Sequence, residues 1–300
     1  MKSSLLSIRR LMPVLLTATA LLLTACNGKE EEYMPPIELG NSDEVVVSVK
    51  NEDGTTSSME AGTTIGFFVI DATGKVVYKE VKTDENGNAL LPVGEGGKVI
   101  AYSPVQPGWG EAFDTPHVFS VKTNQAQADN FESSDLMLGT IQTTKAATTR
   151  SAGELPFSHV MAKIMVNVVD ETGMMSFDNT TMHLLKMNNS VEVSLSDVSA
   201  TTVQETRANI RMNPYNVTDR RFSAVAIVAP QQKEKDDDFF EMHVHGATQL
   251  FPFPETGMLL GNRTYTYNMR FTETGLFLDG SYVTNWVNDG SEELDIIIRP

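Results

Sequence analysis

The chain has 300 residues, with 23 basic and 39 acidic side chains, a formal net charge of −16 and one cysteine. That acidic balance repels phosphate polymers and anionic lipid surfaces, which argues against nucleic acid as a partner, and one cysteine excludes an internal disulfide framework. A hydrophobic fraction of 41% suffices for domains held together mainly by apolar burial.

At the N-terminus, Lys2, Arg9 and Arg10 precede an uncharged apolar stretch from Leu11 to Leu23, which is the layout of a secretory signal. The stretch is shorter than the roughly 20 apolar residues that span a bilayer, and Pro13 interrupts its start, so a permanent transmembrane helix is not expected. Leu23, Thr24, Ala25 and Cys26 resemble the lipobox of bacterial lipoproteins. The resemblance implies a lipid, diacylglycerol with its palmitate-type chains, on the Cys26 sulfur and removal of residues 1–25 as a lipoprotein signal peptide. Several acyl chains on one N-terminus make a stable anchor. The plainer reading of Cys26 is a free cysteine near an ordinary cleavage site.

Residues 26–40 then read as an acidic tether. In "CNGKEEE", Lys29 followed by Glu30, Glu31 and Glu32 resembles the export tag that sends Bacteroidetes lipoproteins to the cell surface, and it serves equally as a solvated spacer. Loss of Lys2, Arg9 and Arg10 from the 23 basic residues leaves 20 against 39 acidic, a formal −19 on the remaining 275 residues. That length is enough for two domains.

From there the apolar pattern has the period of strands. "EVVVSVK" (44–50), "TIGFFVI" (64–70), "KVVYKEV" (75–81) and "KVIAYSP" (98–104) are short, rich in Val, Ile and aromatics, and bounded by turn residues. Two hairpins are expected, one around Asp71, Thr73 and Gly74 and one around Asn86 and Gly87. A Thr- and Ala-rich stretch, 140–156, reads as a linker or long loop, part of which could enter a sheet. Beyond it, strands are expected at 157–170, 179–187, 220–230, 239–246, 263–271 and 291–300, with a doubtful helix at 193–206. The fold class is therefore all-β: two sandwiches in tandem, an N-terminal domain at 41–155 and a C-terminal domain at 156–300.

Motifs for chemistry are weak. His243 and His245 in "MHVHG" would share one face of a strand and could offer two imidazoles to a metal, but no third ligand is indicated, and a pair of partly exposed histidines is the plainer reading. Asp236, Asp237 and Asp238 could bind calcium, although a charge run in a loop is more often simply solvated. "DENGN" has its glycine in the wrong place for a calcium loop, and "VGEGGK" lacks the spacing of a phosphate loop; both are turns. No nucleophile elbow or other catalytic constellation is present, so no enzyme activity, cofactor or metal is expected. Trp109, in the Pro/Gly loop "QPGWGEAF", is a candidate loop contact for a sugar or a partner, or else covers a domain edge. Trp286 reads as core.

Seven segments, "TTIGFFVID", "VIAYSPVQPGW", "SSDLMLGT", "LPFSHVMAKIMVNV", "VAIVAPQ", "LLGNRTYTYNMRF" and "VTNWVNDG", resemble in order and interval the fimbrillin family of Bacteroidetes, the FimA/Mfa-like subunits of type V pili. "FSHVMAKI" and "GNRTYTYN…W" are the most specific blocks, and the resemblance covers nearly the whole chain after the leader. It implies two transthyretin-like β-sandwich domains. It also implies a structural subunit, stalk or anchor, of a fimbria serving cell adhesion, lipid-anchored at the outer membrane and cell surface. A trypsin-like processing protease would remove the first strand with its lipid, and a strand from the C-terminus of the next copy or a related pilin would fill the groove. Such head-to-tail insertion gives a fibre and not a ring.

Carried onto this sequence, the removable first strand has Val45, Val47 and Val49 on one face, and Lys50 is the candidate cleavage residue. Here the sequence departs from the family, which usually offers arginine; no arginine occurs between Arg10 and Arg150, and a cut at Arg150 would divide the domains without freeing a strand. Leu294, Ile296 and Ile298 are the candidate donor strand, unless "LDIIIRP" is simply the last core strand of the second domain. The reading from a different class is a non-polymerising surface lipoprotein that binds glycans, with Trp109 and neighbouring loops as its platform.

Overall fold

A computed structural model of the chain describes residues 37–39, 44–51, 59–92, 97–145, 153–173 and 176–286. Cys26, the tether up to residue 36, Arg150 and the candidate donor positions Leu294, Ile296 and Ile298 lie outside the described residues. Regular structure in the described residues is all β apart from two 3-10 turns, Trp109–Glu111 and Glu132–Ser134, and none of their helices is long and apolar enough to cross a membrane.

Nine strands come first: β1 Ile37–Leu39, β2 Glu44–Asn51, β3 Thr64–Asp71, β4 Val76–Lys82, β5 Asn88–Pro92, β6 Gly97–Ser103, β7 His117–Ser120, β8 Met137–Lys145 and β9 Gly153–His159. The rest follow as β10 Ala162–Asp170, β11 Thr181–Asn188, β12 Ser190–Ser194, β13 Ser199–Thr202, β14 Arg207–Arg211, β15 Asn213–Thr218, β16 Arg221–Val228, β17 Gln231–Lys233, β18 Asp238–Val244, β19 Ala247–Pro252, β20 Gly257–Leu259, β21 Arg263–Thr272 and β22 Gly275–Asn285.

The first sheet has the order β4–β3–β6–β8–β9–β2–β5, with β1 running parallel to the far end of β8. Its two outermost strands, β4 and β5, are consecutive in the chain. The predicted hairpin around Asn86 and Gly87 is thus a tight corner between strands that do not pair. The Asp84 carboxylate accepts the N–H groups of Asn86 (2.8 Å) and Asn88 (2.9 Å), and Gly87 supplies the φ of 76° that an L side chain rarely adopts. The hairpin around Asp71 and Gly74 does form, joining β3 to β4, with Asp71 accepting from the Thr73 and Lys75 amides.

Alternation along β3 explains its unbroken apolar run. Ile65, Phe67 and Val69 pack with Ala89, Leu91, Val99, Leu155 and Phe157 in one cluster, while Phe68, between them, joins Ile100, Tyr102 and Trp109 in a larger second cluster. A strand buried on both faces reads as continuous hydrophobic sequence rather than as alternation.

The larger cluster fills a sandwich of two sheets, β15–β16–β10–β21–β22 and β14–β11–β18–β19. β10 lies at the centre of the first, antiparallel to β16 and parallel to β21, and alternates strictly: Ala162, Ile164, Val166 and Val168 are buried, Val169 is exposed. Met182, Leu184, Phe240 and Met242 from the facing sheet belong to the same core, as expected where two sheets pack face to face.

The two halves of the chain interlock. β7, from the first half, pairs with β12 in the sheet β13–β12–β7, and Ser120 Oγ meets Ser190 Oγ at 2.7 Å. Gln125 is fully buried and acts as a one-residue strand: its amide nitrogen donates to the Ile227 carbonyl (2.7 Å) and its oxygen accepts the Ile227 N–H (2.8 Å).

Two further expectations change and one becomes specific. The run 157–170 is two strands, β9 in the first sheet and β10 in the second. The doubtful helix 193–206 is instead part of the hairpin β12–β13, turned at Val198 with φ 51°, in keeping with its β-branched content. The soft stretch 140–156 enters the first sheet at both ends, through β8 and β9.

Ile164, central in the larger core, should cost about 2–5 kcal/mol on truncation to Ala. Val169→Ala on the exposed face of the same strand should cost less than about 1 kcal/mol. Urea denaturation of the two variants measures the difference, and equal losses would contradict the assigned faces.

Candidate assembly site

β2, which carries the predicted removable strand, is held on both sides. It pairs antiparallel with β5, Val45 opposite Leu91 and Val47 opposite Ala89. It pairs parallel with β9, Val47 opposite Gly153, Val49 opposite Leu155 and Lys50 opposite Pro156. The partner side chains Leu91, Ala89 and Leu155 are fully buried. Withdrawal of β2 would leave two open edges, each a row of unpaired backbone donors and acceptors. Lys50 sits next to the last residue of β2, and its register partner Pro156 brings no N–H to the sheet. Residues 52–58, which follow, lie outside the described residues.

The other end of the described chain is tied down by a junction that unites the two most specific sequence blocks. Trp286, directly after β22, stacks on His159 with ring centroids 4.1 Å apart and an interplanar angle of 3°. The His159 Nδ1 lies 2.7 Å from Asp135 Oδ1, and the Lys163 ammonium lies 5.1 Å from the Trp286 ring centroid, within range of a cation–π attraction. The Asn262 amide donates to the Met161 carbonyl (3.0 Å) and the Trp286 amide to the Asn262 carbonyl (3.3 Å). Gly261 comes so close to the Val160 carbonyl that a Cβ there would overlap it. Residues from "SSDLML", "FSHVMAKI", "GNRTYTY" and "TNW" thus meet at one place. The sequence singled out the blocks; only the fold shows that they are neighbours, and the Asp135–His159 pair had no signal in the sequence.

Trp109, the candidate loop contact, is 5% exposed. Its indole packs against Tyr102 at 5.1 Å and stacks on His117 at 4.9 Å, so it faces inward and offers no ring to a sugar. Beside it Tyr78 and Tyr102 share a 2.8 Å hydroxyl contact, and burial pushes both phenols up from their ordinary value.

The expected pairing of His243 with His245 is not the one the fold makes. His245 has φ 47° at the β18–β19 turn, which breaks the strand alternation, and its Nε2 contacts the Ser176 carbonyl. His243 instead lies with Glu241 and with His183 of β11, a residue that sequence spacing could not connect to it; these three are the described group that could hold a metal. Asp238 pairs with Lys186 and Asp237 lies 3.6 Å from the Lys233 ammonium, so two carboxylates of the acidic run are engaged by lysines.

A family model described as fimbrillin-like matches residues 51–286. No curated protein matches the chain. Among solved structures, a proposed cell adhesion protein of Bacteroides uniformis is 16% identical with a TM-score of 0.63, covering 81% of this chain and 98% of its own. A second, from Bacteroides ovatus, is 15% identical with a TM-score of 0.60, covering 82% and 98%. A third, from Bacteroides thetaiotaomicron, is 12% identical with a TM-score of 0.50, covering 78% and 93%. At these identities the likeness shows the fold, an all-β arrangement.

Trp109 and Trp286 are the two tryptophans of the chain, and each is 5% exposed. Native fluorescence should therefore resist acrylamide quenching and become quenchable on unfolding in urea. Free quenching of the native protein would contradict both placements.

Proposed function

This chain belongs to the fimbrillin-like family, and from that membership we propose that it is a pilus subunit, stalk or anchor, assembled at the cell surface by strand exchange. The membership and the fold of the Bacteroides adhesion proteins it resembles support a structural role in a pilus or adhesin, not an enzymatic one. The finer reading has four parts. Residues 1–25 are a leader, and Cys26 carries the lipid that holds the subunit at the outer membrane. Residues 26–40 are the tether. Two transthyretin-like sandwiches divide near residue 155, with β9 kept whole in the sheet of the first. A trypsin-like protease cuts after Lys50 and releases the segment that includes β2, and the C-terminal segment with Leu294, Ile296 and Ile298 fills the same position in the next copy.

The observation that supports this reading is the place of β2 in its sheet. A strand at the rim could leave at the cost of one ladder. β2 has two, to β5 and β9, so its loss creates a groove that accepts a replacement strand on both sides, with main-chain pairing for affinity and alternate side-chain positions for specificity. The cut would also remove β1, which pairs with β8 at Thr143, Thr144 and Lys145. The glycan-binding reading placed Trp109 and neighbouring loops as its platform, and the burial of Trp109 takes its ring out of that platform.

Mass spectrometry of the N-terminus of the surface-exposed protein tests the processing step. A stalk subunit should begin at Asn51, and Lys50→Gln should abolish that form and leave acylated Cys26. Acylated Cys26 as the sole N-terminus of the unmutated protein would contradict cleavage and leave only an anchor role.

A further inference from the structure

The sheet β14–β11–β18–β19 carries a cluster that has no part in strand exchange. Register places His183 of β11 directly opposite Glu241 of β18, and His243, two residues further, shares the same face. One donor atom from each of the three lies within 4.8 Å of the others, and all three side chains are half-buried. The His183 and His243 rings meet edge to face with centroids 5.6 Å apart. His243 Nε2 is 2.7 Å from Glu241 Oε1, and Thr248 Oγ1 of β19 is 3.0 Å from His243 Nδ1. The Nδ1 atom of His183 is buried without a hydrogen-bond partner among the described residues, which is costly for a polar atom unless something else satisfies it.

We propose that His183, Glu241 and His243 form a binding site for a zinc-class divalent cation that bridges β11 and β18. Two imidazoles and one carboxylate suit a borderline cation such as zinc, whereas calcium takes six to eight oxygen ligands. Ligands bound at about 2.0–2.2 Å in a tetrahedron sit roughly 3.3–3.6 Å apart, so side-chain rotations of about 1 Å, which open the Glu241–His243 contact to admit the ion and draw in His183, complete the set. Thr248 supplies the outer support that metal-bound histidines need: with the ring proton on Nδ1 and accepted by Thr248, Nε2 presents its lone pair to the ion. Arg211, opposite His183 on β14, places a positive charge near the ion that Glu241 offsets. Water completes the coordination. The ion would clamp two strands whose inward residues, Met182, Leu184, Phe240 and Met242, form one wall of the core.

Calorimetric titration of zinc chloride into the full chain carrying Cys26→Ser, so that no thiol competes, is the direct test. One saturable zinc site is expected, with calcium chloride giving none. Affinity should fall at least about ten-fold in His183→Gln and in His243→Gln and stay unchanged in His245→Gln. Absence of saturable zinc binding, or undiminished binding in the His183→Gln/His243→Gln double variant, overturns the proposal and puts any bound metal elsewhere on the acidic surface. Should a variant fail to fold, X-ray absorption of the zinc-loaded parent reads the donor set itself: two imidazole nitrogens support the site, and an all-oxygen shell overturns it.

Discussion

The double ladder of β2 is the constraint on which the account depends. A backbone donor or acceptor buried in a sheet must be paired, and β2 satisfies β5 on one side and β9 on the other. The same sheet brings Leu91, Ala89 and Leu155 into the smaller core at the register positions of Val45, Val47 and Val49. Whatever occupies that place must therefore be a strand. Its sequence may differ, provided it supplies a continuous backbone and apolar residues at alternate positions. This is why a strand from a second copy is a physically reasonable replacement and an irregular loop is not.

A groove left by a departing strand is useful only if the rest of the molecule keeps its shape. The structure provides for that by burying β3 and β6 on both faces and by running the larger core from Phe68 and Tyr102 into the β10 sandwich. β7 crosses to the β12 sheet, and Gln125 closes the free side of β16 at Ile227. A second glutamine does the same for Asn188: Gln231 accepts its N–H at 3.0 Å and donates to its carbonyl at 3.3 Å. The His159–Trp286 stack fixes the point where the described chain ends, so the segment beyond residue 286 starts from a rigid base. Fixed cores on either side would confine the proposed exchange of β2 to one seam.

Much of this was legible from periodicity. β3, β6, β10, β16 and β21 are long, β-branched or aromatic, and bounded by turn residues, and they lie within a residue or two of the expected positions, apart from the split of 157–170. The strands that sequence reading missed, such as β7, β13, β15 and β19, are polar or half-exposed, so their side chains carry no period; pairing with a neighbour defines them. The corner between β4 and β5 shows the same limit, since local turn chemistry at Asp84 and Gly87 does not reveal which strands pair. His183 could not be linked to His243, 60 positions further along the sequence, because the link is a register. Trp109 sits in a Pro/Gly loop sequence that leaves a surface contact and the cover of a domain edge both open, and it is buried against Tyr102 and, from the neighbouring strand β7, His117.

The most direct test of the central claim is detergent resistance of assembled material. Surface protein from cells is compared, unheated and boiled in SDS, for the full chain and for one ending at Trp286. Exchange of β2 for a C-terminal strand predicts an unheated ladder that boiling collapses to one band, present in the full chain and absent in the shortened one. A single monomer band for the full chain under both conditions, or a ladder that survives removal of the C-terminal segment, would contradict it.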